Sequence, residues 1–243
     1  IAHTISELQA DIYLLQEVDS FFLPESWQPT HPLPCGSVLL GYTPFRSYSS
    51  RGEGTVVLLK DDKFEKDTTI DVVALEATEE HGWKTAVVVH ARQKEAPWQQ
   101  IAVVSVHLKW GGAAEKQRLL HDALSACKSR IVVLGGDFNT KARELRSTGL
   151  EQLLQTSGLL RIPTPEGEPT ALTGQLKWDP RSVIDHLYVS SPPLRSRVAT
   201  VGPLPREHSR GPWGPGRSLG SDHAPVLAEL EVPLTHDLFS DRS

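Results

Sequence analysis

At 243 residues the chain has the size of one domain, and with 39% hydrophobic residues it can bury a real core, which excludes disorder as its main state. A formal net charge of −5 supplies no overall field that would draw it to nucleic acid or membrane. No run approaches the ~18 uninterrupted apolar residues of a membrane-spanning helix.

The chain lacks methionine and opens on Ile1-Ala2-His3-Thr4 as if inside an element, so an N-terminally incomplete sequence is expected. No signal or transit peptide is legible at the start. Residues 1–10 fit the end of an amphipathic helix, with Ile1, Ile5 and Leu8 at helical spacing. Residues 11–18 read as a short buried strand ending in a carboxylate, Glu17. Residues 20–50, rich in Pro, Ser and aromatics, read mostly as loop. A strand over 54–60 leads into the turn Asp61-Asp62-Lys63, and strand-like runs recur over 70–75, 85–91 and 101–108. Residues 113–129 predict the best helix, with Gln117, Leu120, Leu124 and Cys127 in period. The apolar strand 131–134 runs into Gly135-Gly136-Asp137-Phe138-Asn139. A second helix is expected over 148–158, and final strands over 183–189 and 226–232.

Residues 191–217 form a Pro/Gly/Arg-rich connector, and residues 233–243 a polar tail beyond a single domain spanning 1–232. Many strands with few helices between them favour an α+β sandwich over a βαβ repeat. Cys35 and Cys127 have neither metal-ligand spacing nor the density of a disulfide framework, so a reducing, intracellular setting is expected.

Chelating residues sit at the ends of apolar strands in five places. They are Gln16-Glu17, Ser105-Val106-His107, Gly136-Asp137-Phe138-Asn139, Ile184-Asp185-His186 and Ser221-Asp222-His223. A core strand that stops at Asp, Glu or His delivers that group to one edge of a sheet, and five such ends at one edge would converge on a pocket. Each has a bland reading: a strand cap, a core histidine, an Asp-rich turn. Asp185, inside an apolar run, is harder to dismiss, because an unpaired buried carboxylate costs several kcal/mol. The donors are mostly oxygens with a few imidazoles, which suits Mg²⁺ or Mn²⁺ over zinc. Such an ion beside His and Asp is equipped to hydrolyse a phosphoester.

In this order and wording the five segments make the chain resemble the endonuclease/exonuclease/phosphatase superfamily, from Ile5 to about Val232. Residues 52–60 followed by Asp62-Lys63-Phe64 are most similar to its deadenylase and Angel-like branch. The resemblance implies a four-layered α/β/β/α sandwich of two mixed, mainly antiparallel sheets, here without its first strand. It also implies roles. Glu17 would hold the divalent ion, with Asp222 a second carboxylate on the metal side. Asp137 would orient or deprotonate the attacking water, with Asn139 fixing that water and a phosphate oxygen. His223 would stabilise the charged phosphorane or accept a proton, its ring held by Asp185, and His107 would donate to the phosphate. Whether Asp137 or His223 is the base stays open.

Three departures stand out. The family's first strand and its Asn lie outside this sequence; Trp178 is the nearest aromatic where a base-stacking residue is usual; and His186 follows Asp185 where Tyr is common, reading as structural. Arg195, Arg197, Arg206, Arg210 and Arg217 face only Glu207 in the connector, which would favour a polyanionic substrate, with Arg206, Arg210, Arg217 and Trp178 its candidate contacts. The expected activity is a metal-dependent nuclease trimming RNA or single-stranded nucleic acid from the 3′ end. The alternatives are a phosphatase or phosphodiesterase of small phosphorylated molecules or tyrosyl–DNA adducts, and a non-catalytic domain that keeps the fold.

Overall fold

The computed structural model describes residues 5, 8–19, 41–48, 53–65, 69–75, 84–108, 112–165, 170, 183–190, 195–196, 200–201, 223 and 226–231. Its strands are β1 (Ile12–Asp19), β2 (Tyr42–Tyr48), β3 (Glu53–Lys60), β4 (Thr69–Leu75), β5 (Lys84–Gln93), β6 (Ala96–His107) and β7 (Ile131–Asp137). After these come β8 (Leu159–Ile162), β9 (Asp185–Ser190), β10 (Arg195–Ser196), β11 (Thr200–Val201), β12 (Val226–Leu227) and β13 (Leu230–Glu231). Two helices, α1 (Ala113–Ala126) and α2 (Leu150–Thr156), lie between β7's neighbours in sequence, and Ile5 and Leu8 are helical near the start.

The strands form one six-stranded sheet ordered β4-β5-β6-β7-β9-β8 and one three-stranded sheet ordered β1-β3-β2. Among the described strands only β6 and β7 pair in parallel; α1 makes the crossover between them. The remaining short strands pair as β10-β13 and β11-β12.

Strand alternation explains why the fold has layers. On β3, Val57 and Leu59 face the six-stranded sheet, while Val56 and Leu58 pack against Ile5, Tyr13 and Tyr42 on the opposite side. On β5, β6 and β7 the odd-numbered residues (Val87, Val103, Val133) enter the core between the sheets. Their even-numbered neighbours (Val88, Val104, Leu134) pack against Leu119, Leu120 and Ala123 of α1 and Leu150 and Leu154 of α2. Both sheets are apolar on both faces, and each face is covered. The result is the four-layered α/β/β/α sandwich, an α+β fold with three cores between its layers.

The structure departs from the sequence reading in several places. Within the expected loop 20–50, residues 42–48 form β2, because Tyr42 is buried and its hydroxyl donates to the Ala10 carbonyl at 2.9 Å. Pro44 is tolerated there because β2 lies on the edge of the described sheet. The expected strand 226–232 is split into β12 and β13, which pair with two pieces of the supposed connector, β10 and β11. The strand before Asp137 does not stop at Leu134; the ladder runs on through both glycines. No sequence signal had marked β8. The 233–243 tail lies outside the described residues. No helix among those described is long and apolar enough to cross a membrane.

Candidate active site

The parallel register of β6 and β7 puts His107 beside Asp137, and the antiparallel register of β7 and β9 puts Asp137 beside Asp185. All three have the parity of the inter-sheet face, and all three stand where their strands end or begin. One transverse row of the six-stranded sheet therefore carries a histidine and two carboxylates at its rim.

The facing sheet answers with Gln16 and Glu17. By alternation only one of two consecutive residues should face inward, but β1 carries an extra residue: Leu15 pairs with Val56 and Val18 with Gly54. Glu17 takes up the irregularity with a left-handed φ of 53°. Both side chains consequently reach the other sheet. Gln16 Nε2 donates to Ser105 Oγ at 2.9 Å, and Glu17 Oε1 lies 3.5 Å from His107 Nε2. His107 Nε2 is also 3.6 Å from Asp137 Oδ2, so it sits between two carboxylates.

Glycine makes the close approach possible. A Cβ on Gly135 would come within 2.9 Å of Leu14 and Leu187, and one on Gly136, at φ 140°, within 2.1 Å of the Val106 carbonyl oxygen. The glycine pair thus lets β1 and β6 press against β7 one residue short of Asp137.

Beyond Asp137 the chain turns back. Asn139, at φ 45°, donates its backbone N–H to Asp137 Oδ1 and its Nδ2 to Asp137 Oδ2, each at 2.7 Å. Backbone bonds from Leu108 N–H to Asp137 O (2.7 Å) and from Phe138 N–H to Ile184 O (3.0 Å) tie the turn to β6 and β9. Lys116 of α1, buried, donates to Phe138 O, Asn139 O and Thr140 Oγ1 at 2.9, 2.7 and 2.8 Å. His186, on the helix side of β9, donates from Nε2 to Thr140 O at 2.8 Å and packs edge-on to Phe138. Burial pushes its pKa down to about 4, so the ring is neutral at pH 7. His186 thus faces away from the row that holds Asp185.

His223 donates from Nδ1 to both oxygens of Asp185, at 3.0 and 2.9 Å. A carboxylate on Nδ1 fixes the ring's orientation and its tautomer. Asp137 feels all of these charges. In the metal-free protein burial, and then the charge of Asp185, push its carboxyl up to about 7. Glu17 adds a smaller push in the same direction, while His223 and the Asn139 N–H pull it down.

This crowding of carboxylate is what a hard divalent cation would relieve, and oxygen donors are its preferred ligands. Among the described residues no three acidic, imidazole or thiol side chains close into a metal cage. The half-exposed Glu17 is more open to solvent than Asp137 or Asp185.

Six of the residues picked from the sequence, Glu17, His107, Asp137, Asn139, Asp185 and His223, therefore meet in one contiguous group. Asp222, Trp178, Arg206, Arg210 and Arg217 lie outside the described residues. Sequence reasoning overlooked Lys116. Its signal was available: Lys116 shares the helical spacing of Leu119, Leu120 and Ala123, the residues α1 buries. The periodicity had instead been set one residue along, through Gln117, Leu120 and Leu124.

Sequence comparison with curated proteins finds no significant match. Solved structures do match. D. rerio TDP2 complexed with single-strand DNA product superposes with a TM-score of 0.66 at 15% identity, covering 95% of this chain and 89% of that one. ANGEL2, a 2′,3′-cyclic phosphatase, gives 0.69 at 16% identity over 94% of this chain and 83% of its own. The human Nocturnin catalytic domain with bound sulfate gives 0.63 at 19% identity over 95% and 84%. At such identities these likenesses establish the fold. Residues 1–223 also match the Endonuclease/Exonuclease/phosphatase family, so the chain belongs to that family, whose members are phosphoester hydrolases.

Proposed function

We propose that the chain is a divalent-metal-dependent phosphodiester hydrolase, a nuclease acting from the 3′ end of RNA or single-stranded nucleic acid. The observation that carries this reading is the row His107–Asp137–Asp185, closed from the opposite sheet by Glu17 and from β12's approach by His223. A row of that composition offers a base, an acid and a cation-binding carboxylate within one rim.

Asp137 is the base in this reading. Its carboxyl, raised to about 7 by burial in the metal-free protein, would be drawn lower by a bound cation and would still stand where it can take a proton from water. Asn139 occupies one lone pair on each oxygen and so fixes the plane of the group, leaving others for the water. His223, oriented by Asp185, stabilises charge developing on the phosphorus oxygens. His107 donates to the phosphate and supports the leaving group. Glu17 and Asp222 would hold Mg²⁺ or Mn²⁺, which when bound neutralises charge on the phosphate and lowers the pKa of water.

The choice of a nucleic acid over other phosphodiesters is supported by the five connector arginines and by TDP2's complex with single-strand DNA product. ANGEL2's 2′,3′-cyclic phosphatase activity favours a second reading, a phosphatase of small or terminal phosphates. A labelled single-stranded oligonucleotide with either a 3′-hydroxyl or a 2′,3′-cyclic phosphate end separates the two. Stepwise shortening of the first with Mg²⁺ or Mn²⁺, abolished by EDTA, is expected. Full activity in EDTA would sink the metal-dependent reading, and end-opening without shortening would favour the phosphatase.

A further inference from the structure

Lysine is among the residues least often buried, and an ammonium is costly to take from water unless its donors are met. Lys116 is 4% exposed, on the stripe of α1 that otherwise buries leucine and alanine. A leucine there would pack the same core. What a leucine could not supply is the set of hydrogen bonds, and these go to one place: Phe138 O, Asn139 O and Thr140 Oγ1, three consecutive residues after Asp137.

Asn139 has a left-handed φ, a conformation uncommon for residues with a Cβ and most accessible among them to asparagine and aspartate. It is that conformation which brings the Asn139 N–H and Nδ2 together onto the two Asp137 oxygens. Leu108 and His186 anchor the carbonyls at either end of the turn, at Asp137 and Thr140. Lys116 reaches both carbonyls between them: it shares Phe138 O with the Thr140 hydroxyl (3.0 Å), and among the bonds described it alone reaches Asn139 O, that of the left-handed residue itself.

We propose that Lys116 is a positioning residue of the hydrolytic site: from α1 it clamps the Phe138–Thr140 turn so that Asn139 stays locked onto the Asp137 carboxylate. The inference rests on the reading of Asp137 as the base. Lys116 has no assigned contact with substrate in it and acts through the turn that carries Asn139.

The test compares Lys116→Met and Lys116→Arg with the unsubstituted chain in two measurements. The first is amide hydrogen exchange in the metal-free protein, read at Asn139 and, as an internal control, at Phe138, whose N–H bonds to Ile184 instead. The second is kcat and KM on a single-stranded oligonucleotide with Mg²⁺. For Lys116→Met we expect exchange at Asn139 to rise about tenfold over any rise at Phe138, and kcat to fall about tenfold or more with KM within about threefold. Lys116→Arg, which keeps the donors, should recover most of both. A merely structural lysine would accelerate both amides alike and lower activity only in step with the folded fraction; that result overturns the proposal, as do unchanged Asn139 exchange and kcat. If Lys116→Met does not fold, Lys116→Gln keeps a polar side chain and shortens its reach to the Phe138 and Asn139 carbonyls. A lowered kcat at constant KM then supports the clamp, and a parent-like kcat overturns it. An unsubstituted chain with no hydrolytic activity would defeat the functional reading alone, since the exchange comparison still distinguishes a clamp from a bystander.

Discussion

Asp137 on the six-stranded sheet is 5% exposed and has both oxygens bonded to Asn139, whereas the Glu17 side chain on the three-stranded sheet is 56% exposed and reaches inward through a bulge. The first is held by ladders on both sides, and the turn that follows it by donors from α1 and β9. The second stands on a strand paired on one side among the described residues. In the metal-free protein burial raises the Asp137 carboxyl to about 7; Glu17 is open to solvent, which in the proposed reading is what lets it meet a cation. One rim thus combines a rigid group that needs an invariant position with an adjustable one that needs reach.

Substitutions on the two sides should therefore differ in kind. The largest effect is expected from Gly136→Ala, whose Cβ would meet the Val106 carbonyl oxygen at 2.1 Å in a backbone conformation rarely open to alanine. A thermal melt should show no cooperative transition, or one displaced by more than 10 °C; a parent-like melt would mean that β6 and β7 can part without loss. Next is Asp137→Asn, which keeps the volume and removes the base. We expect kcat to fall at least about a hundredfold, unrelieved by added metal, with thermal stability of the metal-free protein unchanged or slightly raised. Near-parental turnover would reduce the turn after β7 to a structural feature.

The buried side should also betray itself through pH. A folded pKa of about 7 against an ordinary 3.8 means that the native state holds the Asp137 proton more tightly than the unfolded chain. Stability from this group is full below about pH 4 and is lost as pH rises to about 7, by at most ~1.4 kcal/mol per pH unit. His186, lowered from 6.5 to about 4, does the opposite: its contribution is present above about 6.5 and lost as pH falls towards 4. The two slopes oppose each other across the same window. In metal-free protein, melts at pH 4 to 7 should show His186→Gln losing stability more steeply with rising pH than the parent, and Asp137→Asn less steeply. Parallel curves for all three would count against both assignments.

The smallest effect belongs to the exposed side. Glu17→Gln should lower activity less than Asp137→Asn does, and raising Mg²⁺ in a titration should recover part of it. Failure of any metal concentration to help would place Glu17 on the rigid side of the contrast.

Much of this was legible because strand ends announce themselves. An all-apolar run stopping at Gly135-Gly136-Asp137 states both the strand and its rim, and a carboxylate at position 185 inside an apolar run states that something must meet it. The contacts behind these signals were not legible. No pattern in Leu14 to Val18 reveals the extra residue, since a bulge is defined only against its partner, β3. Tyr42–Tyr48 looked like loop because it lies in the stretch 20–50, rich in proline, serine and aromatics, while the burial of Tyr42 depends on Ile5 and Tyr13, far away in sequence. Lys116 was missed because the helical period was read through Gln117, Leu120 and Leu124, whereas the buried stripe runs through Lys116, Leu119, Leu120 and Ala123. The short strands β10 to β13 are two residues each, below the length at which alternation carries information.

The irregularity in β1 also sets how this strand can vary. A strand that alternates strictly is read in twos, so one residue gained or lost shifts the frame of everything beyond it. β1 already contains one such shift, which is why Tyr13 and Val18, of opposite parity, share the outer core. Removing either Gln16 or Glu17 would not disturb that core: it would restore regular alternation and leave one side chain, not two, facing the other sheet. The protein would stay folded and lose either its tether to Ser105 or its carboxylate at His107. A single-residue deletion, ordinarily ruinous within a sheet, would here be a clean separation of architecture from chemistry.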